Sequence, residues 1–528
     1  MRLLYRIDEL RQREARALAE LPAGTLMQRA GRAAAMAAHD AFLARPGSPG
    51  GMPRRPAPVL VLCGPGDNGG DGYECALALQ AMGYPCRCWS ADDGAKAGAQ
   101  ALAARRRWAA VGPIDAALTP APAPELVVDA LLGIGATRPL EGALLAATRW
   151  LRDSGLPVLA LDVPSGLDAD TGCWIGGVAG AAARLTLTFL GDKPGLHLRQ
   201  GRAAAGLVRV ALLGVAEPPA ASIRGRLAAP GDFTSLLLPR PDESNKGSFG
   251  TVNIIGGAPG MVGAVLLAGR AALRLGAGKV YVDAIGAPDL RVDLQQPELM
   301  LQAQRRPAPD DVLLIGCGMG TAGAARQLLH DALSHPGPLL IDADAINLLA
   351  TDPDARAALA ARAAPTVITP HPGEAARVLQ ATVATVQADR IASATQLADT
   401  LRATVVLKGA ATVIAEPGGR YAINPTGGPA LASAGTGDVL AGMIAALLAQ
   451  GADAATAAGA AAWLHGAAAD RHGADVGLVA SDIAPLAARE WARLRAASVA
   501  GDNAAGLERN AAAASLGEAP IVRDQDQR

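Results

Sequence analysis

Residues 61–76 read VLCGPGDNGGDGYECA, an apolar run feeding a loop with five glycines and two aspartates in nine residues, followed by a helix-like run. Glycines let backbone N–H groups crowd an anion at a helix start, which is half of a nucleotide site. Gly64, Gly66 and Gly69 satisfy G-x-G-x-x-G, and Asp92 and Asp93 stand where a ribose-binding acid is expected, about 20 residues on. A dinucleotide-dependent dehydrogenase is therefore one reading. Against it, Asp67 and Asp71 put carboxylates into the loop, where they repel a pyrophosphate unless a cation or a sugar hydroxyl intervenes. Three more loops follow strand-like runs: VDALLGIGATRPLEG with Asp129, LALDVPSGLDADTG with Asp162, Ser165, Asp168 and Asp170, and TFLGDKPGLHL with Thr188 and Lys193. In an open parallel sheet such loops converge beyond the strands' carboxyl ends, so one pocket would collect carboxylates, a hydroxyl and a lysine. A carboxylate beside a lysine is an acid–base pair. Singly, Asp129 or Ser165 could equally be a helix cap or turn former; the conjunction carries the chemistry.

A second constellation lies downstream. NPTGGPALASAGTGDVLAGM places Gly435, Thr436, Gly437 and Asp438 at a helix start, where N–H groups can stabilise a transferring phosphoryl group and Asp438 can accept a proton from an attacking hydroxyl. The plainer alternative is an acid complementing the helix dipole. VVLKGAATVIA presents Lys408 at a strand-to-turn junction suited to a nucleotide phosphate, and PHPGEAARVL offers His371 and Glu374, the histidine as readily a turn residue as a ligand. IIGGAPGMVGAVLLAGRAA adds a glycine-rich loop before a helix. ALRLGAGKV lacks the leading glycine and the Ser/Thr of a P-loop, so a P-loop ATPase is rejected.

Of 48 basic residues only five are lysine, so arginine serves wherever a generic positive charge is needed. Lys246, Lys279 and Lys408 sit beside glycine and Lys193 between two glycines in GDKPG, and a compact ammonium that approaches phosphate or changes protonation state is what arginine cannot supply.

The elements that must position these groups alternate. Helix-like LMQRAGRAAAMAAHDAFLA, YECALALQAM and LLAATRWLRDS interleave with strand-like PVLVLC, CRCWS, LVVDALLG, PVLALDVPSG, ARLTLTFLG and GLVRVALLG, which predicts a parallel, doubly wound sheet. ARPGSPGGMPRRPAP is expected to be a surface loop. The pattern lapses around AEPPAASIRGRL, giving a first domain over 1–215 and a linker over 216–227. It restarts with TVNIIGG, KVYVDA, DVLLIGCG, PLLIDADAINLL, TVITP, ATVVLKG and TVIAE, a second α/β domain over 228–497, with an unstructured tail over 498–528. At 528 residues the chain is too long for one core. A net charge of −1 leaves no field for nucleic acid or an anionic membrane. The charged start MRLLYRIDELRQREARALAEL lacks a secretory signal, so a cytoplasmic protein is expected, and no stretch is apolar enough to span a bilayer. The six cysteines form no C-x-x-C pair and are expected to be reduced structural thiols.

GPGDNGGDG, DALLGIGATRPLEG, LDVPSGLDADTG and TFLGDKPGL together resemble the NAD(P)H-hydrate epimerase family, whose fold is Rossmann-like. The resemblance implies that Asn68, Asp129 and Ser165 contact a potassium ion. It implies that Asp67, Asn68, Gly69, Gly70 and Asp71, with Gly133, Ile134, Gly135, Ala136, Thr137, Arg138, Pro139 and Asp162, hold the damaged dinucleotide, and that Asp162 and Lys193 transfer protons. Two residues depart from that family's pattern, Asp67 replacing Asn and Ile134 replacing Thr. The second half, through NKGSFGTVNIIGGAPGMVGA, IGCGMG, LIDADAINLL, TPHPGE, LKGAATVIA and the GTGD stretch, resembles the ribokinase-like ADP- or ATP-dependent NAD(P)H-hydrate dehydratases. This implies that Ala264, Gly320, His371 and Asp438 contact the hydrate, that Lys408, Gly409, Ala410, Ala411, Thr412 and Gly437 hold ADP or ATP with Mg²⁺, and that Asp438 is the base. The substrates implied are hydrated NADH and NADPH (NADHX and NADPHX), and a homo-oligomer is expected. The rival reading is a ribokinase-type small-molecule kinase fused to a non-catalytic nucleotide-binding module.

Overall fold

The computed structural model of the chain describes residues 2–43, 57–90, 92, 97–118 and 123–515. Most of ARPGSPGGMPRRPAP, and Asp93, lie outside the described residues. The chain divides into two compact units, Arg2–Leu227 and, apart from Met1, Ala228–Arg528.

The strands of the N-terminal unit are β1 (Arg2–Leu4), β2 (Val59–Cys63), β3 (Cys86–Ser90), β4 (Ile114–Asp115), β5 (Leu126–Ala130), β6 (Val158–Leu161), β7 (Leu185–Phe189), β8 (Leu207–Ala211) and β9 (Gly225–Leu227). Its main sheet has the order β4-β3-β2-β5-β6-β7-β8, every pairing parallel. Strands β2, β5, β6 and β7 are buried along their whole length, which is why they read as continuous apolar runs rather than alternating ones. The chain turns one way from β2 to β3 and the other way to β5, so the crevice beyond β2 and β5 is the switch point at which such sheets bind ligands. The end of the expected linker is structured, because β9 pairs antiparallel with β1 (Arg2 opposite Leu227, Leu4 opposite Gly225).

The C-terminal unit contributes β10 (Thr251–Gly256), β11 (Lys279–Ala284), β12 (Met300–Leu301), β13 (Val312–Ile315), β14 (Leu339–Ile341), β15 (Thr366–Ile368), β16 (Thr404–Leu407), β17 (Val413–Ala415) and β18 (Tyr421–Ile423). Their order is β18-β17-β16-β15-β14-β13-β10-β11-β12. Pairings from β12 through to β16 are parallel, and β16-β17 and β17-β18 are antiparallel. The helix Thr436–Ala449 is buried from Val439 to Leu448, as a helix apolar on all sides must be. It crosses the helix Val262–Arg274 so closely that a Cβ on Gly442 would stand 2.0 Å from the Ala268 carbonyl oxygen. Gly442→Ala is expected to force these helices apart and cost about 1–3 kcal/mol in denaturant unfolding of this unit.

The segment expected to be an unstructured tail from residue 498 continues the helix Ala480–Ser515. Its NAAGLERNAAAAS composition is rich in alanine, the strongest helix former, which outweighs its lack of apolar periodicity. Residues 516–528 lie outside the described residues. Among the described residues no helix is long and apolar enough to cross a membrane.

Candidate active sites

In the N-terminal unit a cleft of about 770 Å³ opens at the switch point. Its wall takes Pro65–Asn68 and Asp71 from beyond β2, Leu131–Ala136 from beyond β5, Asp162 from beyond β6 and Lys193 from the loop after β7. DNGGDG is the opening of the helix Asp67–Ala81 rather than a loop, so its N–H groups point from a helix start. Gly69 and Gly70 are packing residues: a Cβ would fall 2.0 Å from the Gly64 carbonyl oxygen and 2.6 Å from the Met27 side chain respectively. Of the expected ligand loop 133–139, Gly133 to Ala136 line the cleft, whereas Thr137, Arg138 and Pro139 are exposed and outside its wall.

Lys193 is 1% exposed. Its ammonium lies 2.8 Å from Asp162 Oδ1 and donates to Thr188 Oγ1 at 2.5 Å and to the carbonyls of Phe189 (3.1 Å) and Gly191 (3.3 Å). Asp162 Oδ2 accepts the Ile134 N–H at 3.1 Å, so the residue at this departure from the family pattern acts through its backbone while its side chain packs against apolar neighbours. Asp162 has φ of 66°, a left-handed conformation that aspartate tolerates, and strain of this kind is concentrated at working sites. Burial and the repulsion of Asp162 and Asp67 push the Asp71 carboxyl well above its usual range.

Asp129 is buried at the end of β5, accepting from Ser165 Oγ at 2.6 Å and from the backbone N–H groups of Ser165 and Leu131 at 3.0 and 3.2 Å. Burial raises its pKa and these bonds oppose the rise. Asn68 donates to the Leu161 carbonyl at 3.3 Å while its Oδ1 is buried with no hydrogen-bond partner. Asp168 and Asp170 are not cleft residues. Asp168 accepts the N–H groups of Asp170 and Thr171 in its own turn, and Asp170 accepts the Ile7 N–H at 2.9 Å.

The second site forms at the ends of β13 to β16. Asp438 lies in the first turn of the helix Thr436–Ala449, entered through Gly435 at φ of 85°. Lys408, at the end of β16, reaches Asp342 Oδ1 at 2.8 Å, and a Cβ on Gly437 would stand 3.4 Å from its Nζ. The ammonium therefore sits at the helix start but is already ion-paired. Burial opposes its charge, yet Asp342 and Glu374 outweigh that and raise its pKa. Asp342 also accepts from Thr369 Oγ1 at 2.5 Å. Burial and repulsion by Asp342 raise the Asp438 pKa to about 6, opposed by the Cys317 thiol and Lys408. Burial takes Glu374 to about 7.

His371 is both a cap and a wall residue. Its Nδ1 accepts the N–H groups of Gly373 (2.9 Å) and Glu374 (3.2 Å), which leaves the ring proton on Nε2. Burial and Lys408 lower its pKa, favouring that neutral form. Ala264 flanks the loop after β13, with a Cβ on Gly318 3.0 Å from its own, and Gly320 N–H donates to Asp344 at 2.8 Å. In the Lys408–Thr412 turn, Gly409 and Ala410 are exposed, Ala411 takes φ of 60°, and Thr412 Oγ1 is 3.4 Å from the Gly409 carbonyl.

Two residues the sequence reading passed over hold this site together. Arg390, buried, donates to the carbonyls of Leu407 (2.9 Å) and Lys408 (3.2 Å) and so shapes the turn. His465 donates to the Thr436 carbonyl at 2.9 Å, and burial lowers its pKa to about 4. Each comes from a helix with no local motif, so only three-dimensional proximity reveals it. Cys317, expected to be a plain structural thiol, has Sγ 3.9 Å from Asp342 and within 4.8 Å of Asp438 ligand atoms.

Comparison with known proteins bears on both units. A family model described as NAD(P)H-hydrate dehydratase matches residues 252–513, and one described as YjeF-related protein N-terminus matches 23–195. The chain is 36% identical to the bifunctional NAD(P)H-hydrate repair enzyme Nnr of Coxiella burnetii, over 92% of this chain and 98% of that protein. It is 36% identical to the enzyme of the same name from Escherichia coli, over 74% and 76%. Among solved structures it is similar to an ADP/ATP-dependent NAD(P)H-hydrate dehydratase from Bacillus subtilis co-crystallised with ATP/Mg²⁺, at 31% identity, TM-score 0.45, covering 51% of this chain and 98% of that one.

Proposed function

Because this chain belongs to the family of bifunctional NAD(P)H-hydrate repair enzymes, we propose that its two clefts divide the repair between them. The N-terminal unit epimerises the R and S hydrates of NADH and NADPH, and the C-terminal unit dehydrates the S form at the expense of ADP or ATP. The observation that carries the second assignment is Asp438 at a helix start beside the Lys408–Asp342 pair, where a base, a cation and free N–H groups meet.

Hydration leaves a hydroxyl, a poor leaving group, on the ring carbon next to nitrogen. Asp438 takes its proton as the oxygen attacks the nucleotide's terminal phosphorus, and the helix-start N–H groups with Lys408 stabilise the charge on the transferring group. The ring nitrogen then expels phosphate with the C–O electron pair, and loss of a proton from the neighbouring carbon restores the double bond. His371 Nε2–H, its tautomer held by the cap and 3.4 Å from Glu374 Oε1, would donate to the hydrate. The turn Lys408–Thr412, braced by Arg390, with Gly437, forms the nucleotide wall.

The described residues do not form a cage for Mg²⁺. Among the described residues the one such trio, buried Cys317 and Asp342 with half-buried Asp438, offers a thiol whose pKa burial raises and a carboxylate already paired with Lys408, whereas Mg²⁺ wants oxygen ligands and keeps its waters. The ion is therefore part of the nucleotide substrate. Three hard oxygen donors suit potassium better: the unpartnered, buried Asn68 Oδ1 in the wall of the first cleft and, outside that wall, the buried Asp129 carboxylate and the Ser165 Oγ bonded to it. A bound potassium ion would offset part of the carboxylate charge that faces the dinucleotide. Asp162 and Lys193 hold and move the proton in epimerisation.

Purified protein given acid-generated NADH hydrate and ADP or ATP is expected to recover the dihydronicotinamide absorbance. Accumulation of a stable phosphorylated hydrate without that recovery would favour the small-molecule kinase. Asp438 must be ionised to act, so kcat/KM for dehydration is expected to fall as pH drops below about 6, where its proton returns. A flat profile across that range, read with S hydrate and saturating nucleotide, would remove Asp438 from the base role.

A further inference from the structure

To epimerise a carbon bearing both a hydroxyl and the ring nitrogen, the hydroxyl must leave one face and return to the other. Water loss through a planar iminium needs an acid for the departing oxygen and a base for the incoming water, on different walls of the cleft. The Lys193-paired Asp162 carboxylate supplies a base at the strand ends. A second titratable group comes from another element, the helix Ile7–Glu20, which lines the cleft with Leu10, Arg11, Glu14 and Leu18. Leu10, Glu14 and Leu18 stand at i, i+4 and i+8, one face of the helix, so a carboxyl sits between two leucines in what is otherwise an apolar stripe.

We propose that Glu14 is a further proton-transfer residue of epimerisation, acting from the helix wall on the hydroxyl that leaves while the Asp162–Lys193 pair takes the proton of the water that returns; the inference rests on the epimerase reading of this cleft. In one direction the Glu14 carboxyl protonates the ring hydroxyl, the C–O pair leaves with it as water, and the ring nitrogen's lone pair forms the C=N bond. Water then adds to the other face, its electrons forming the new C–O bond and the C=N pair returning to nitrogen, while its surplus proton passes to Asp162. One proton is spent at Glu14 and one gained at Asp162, and the reverse direction exchanges the roles.

Two further observations support the assignment. Glu14 is half-buried, and its pKa is raised by burial and by the charges of Asp162 and Asp67, opposed by Lys193 and by Arg11 on its own helix, a shift in the direction a general acid needs. The helix is also tied to the loop carrying Lys193 and to the turn after β6: Tyr5 N–H donates to the Asp192 carbonyl at 2.9 Å, Arg2 pairs with Asp192 at 2.5 Å and Ile7 N–H donates to Asp170. Asp71 is the nearest rival, but it lies one turn from Asn68 on the helix Asp67–Ala81, not on the wall that carries Leu10 and Leu18.

Glu14→Gln should lower kcat for R-to-S exchange about 10²-fold, with KM little changed, nucleotide-dependent dehydration of S hydrate unaltered in the same preparation, and Glu14→Asp partly active. In heavy-oxygen water the parent should label the hydroxyl as it epimerises. Exchange by Glu14→Gln within a fewfold of the parent, a rise in KM with kcat kept, loss in Asp71→Asn alone, or epimerisation without label would each overturn the proposal. A parent that never exchanges R and S hydrate would instead sink the epimerase reading itself.

Discussion

Asp438→Asn is expected to lower nucleotide-dependent dehydration about 10²–10⁴-fold, the usual contribution of a positioned base, while R-to-S exchange continues at the parental rate. The amide keeps the shape of the helix start, and the ring of supports around it is independent of its charge: His465 on the Thr436 carbonyl, Gly435 in its left-handed turn, and the Lys408–Asp342 pair. What vanishes is the helix-start carboxylate whose pKa, about 6, suits it to take a hydroxyl proton near neutrality; Glu374, at about 7, accepts the His371 backbone N–H instead. The acid limb of the dehydration profile should vanish with it. If the mutant dehydrates S hydrate within a fewfold of the parent, Asp438 is a helix-start acid and nothing more. If a folded mutant loses both activities, the two clefts do not work independently.

Lys193→Arg is expected to abolish most epimerisation, by about 10²-fold or more, although the charge is conserved. Its ammonium is enclosed by Asp162, Thr188 and two carbonyls, four acceptors for three protons, in a space 1% open to solvent. A guanidinium adds volume to a filled site, costing about 1–3 kcal/mol in stability, and it does not give up a proton near neutral pH. Dehydration of S hydrate should be retained. Full R-to-S conversion by the arginine variant would show that Lys193 only balances the charge of Asp162.

The parts of both sites legible in the sequence are those made by strand ends. A parallel strand buried on both faces must be a short apolar run, and the loop that follows must carry its polar cargo immediately, so Asp129, Asp162, Lys193, Lys408 and the GTGD turn could each be placed beside a strand or helix start. The same logic overreached where a loop residue is spent on its own backbone, as Asp168 is, or where a glycine is small for packing rather than for a ligand, as Gly69 and Gly70 are. Glu14, Arg390 and His465 were not legible. Each belongs to a helix distant in sequence from the loop it serves, and a single charged or polar residue on a helix carries no local signal of what stands across from it. Helices Arg390–Leu401 and Ala454–His472 were themselves passed over, because alanine fills both faces and blurs the apolar stripe by which a helix is recognised.

The pairing of β1 with β9 sets an order of events during synthesis. Residues 2–4 emerge first, meet Asp192 and Val208 as those leave the ribosome, and complete their strand pairing only when residues 225–227 have followed. The helix Ile7–Glu20 follows directly on β1 and supplies a wall of the first cleft, so that wall is tethered in steps, at Asp170, then at Asp192 and last through β9. The parallel sheet can assemble strand by strand while the chain grows, as domains do during translation. The last of these tethers waits for the last strand. A nascent chain stalled short of Gly225 would carry a formed sheet and a wall held at Asp170 and Asp192 but lacking its strand pairing, which makes the closing strand the final step between having the fold and having a fully braced site.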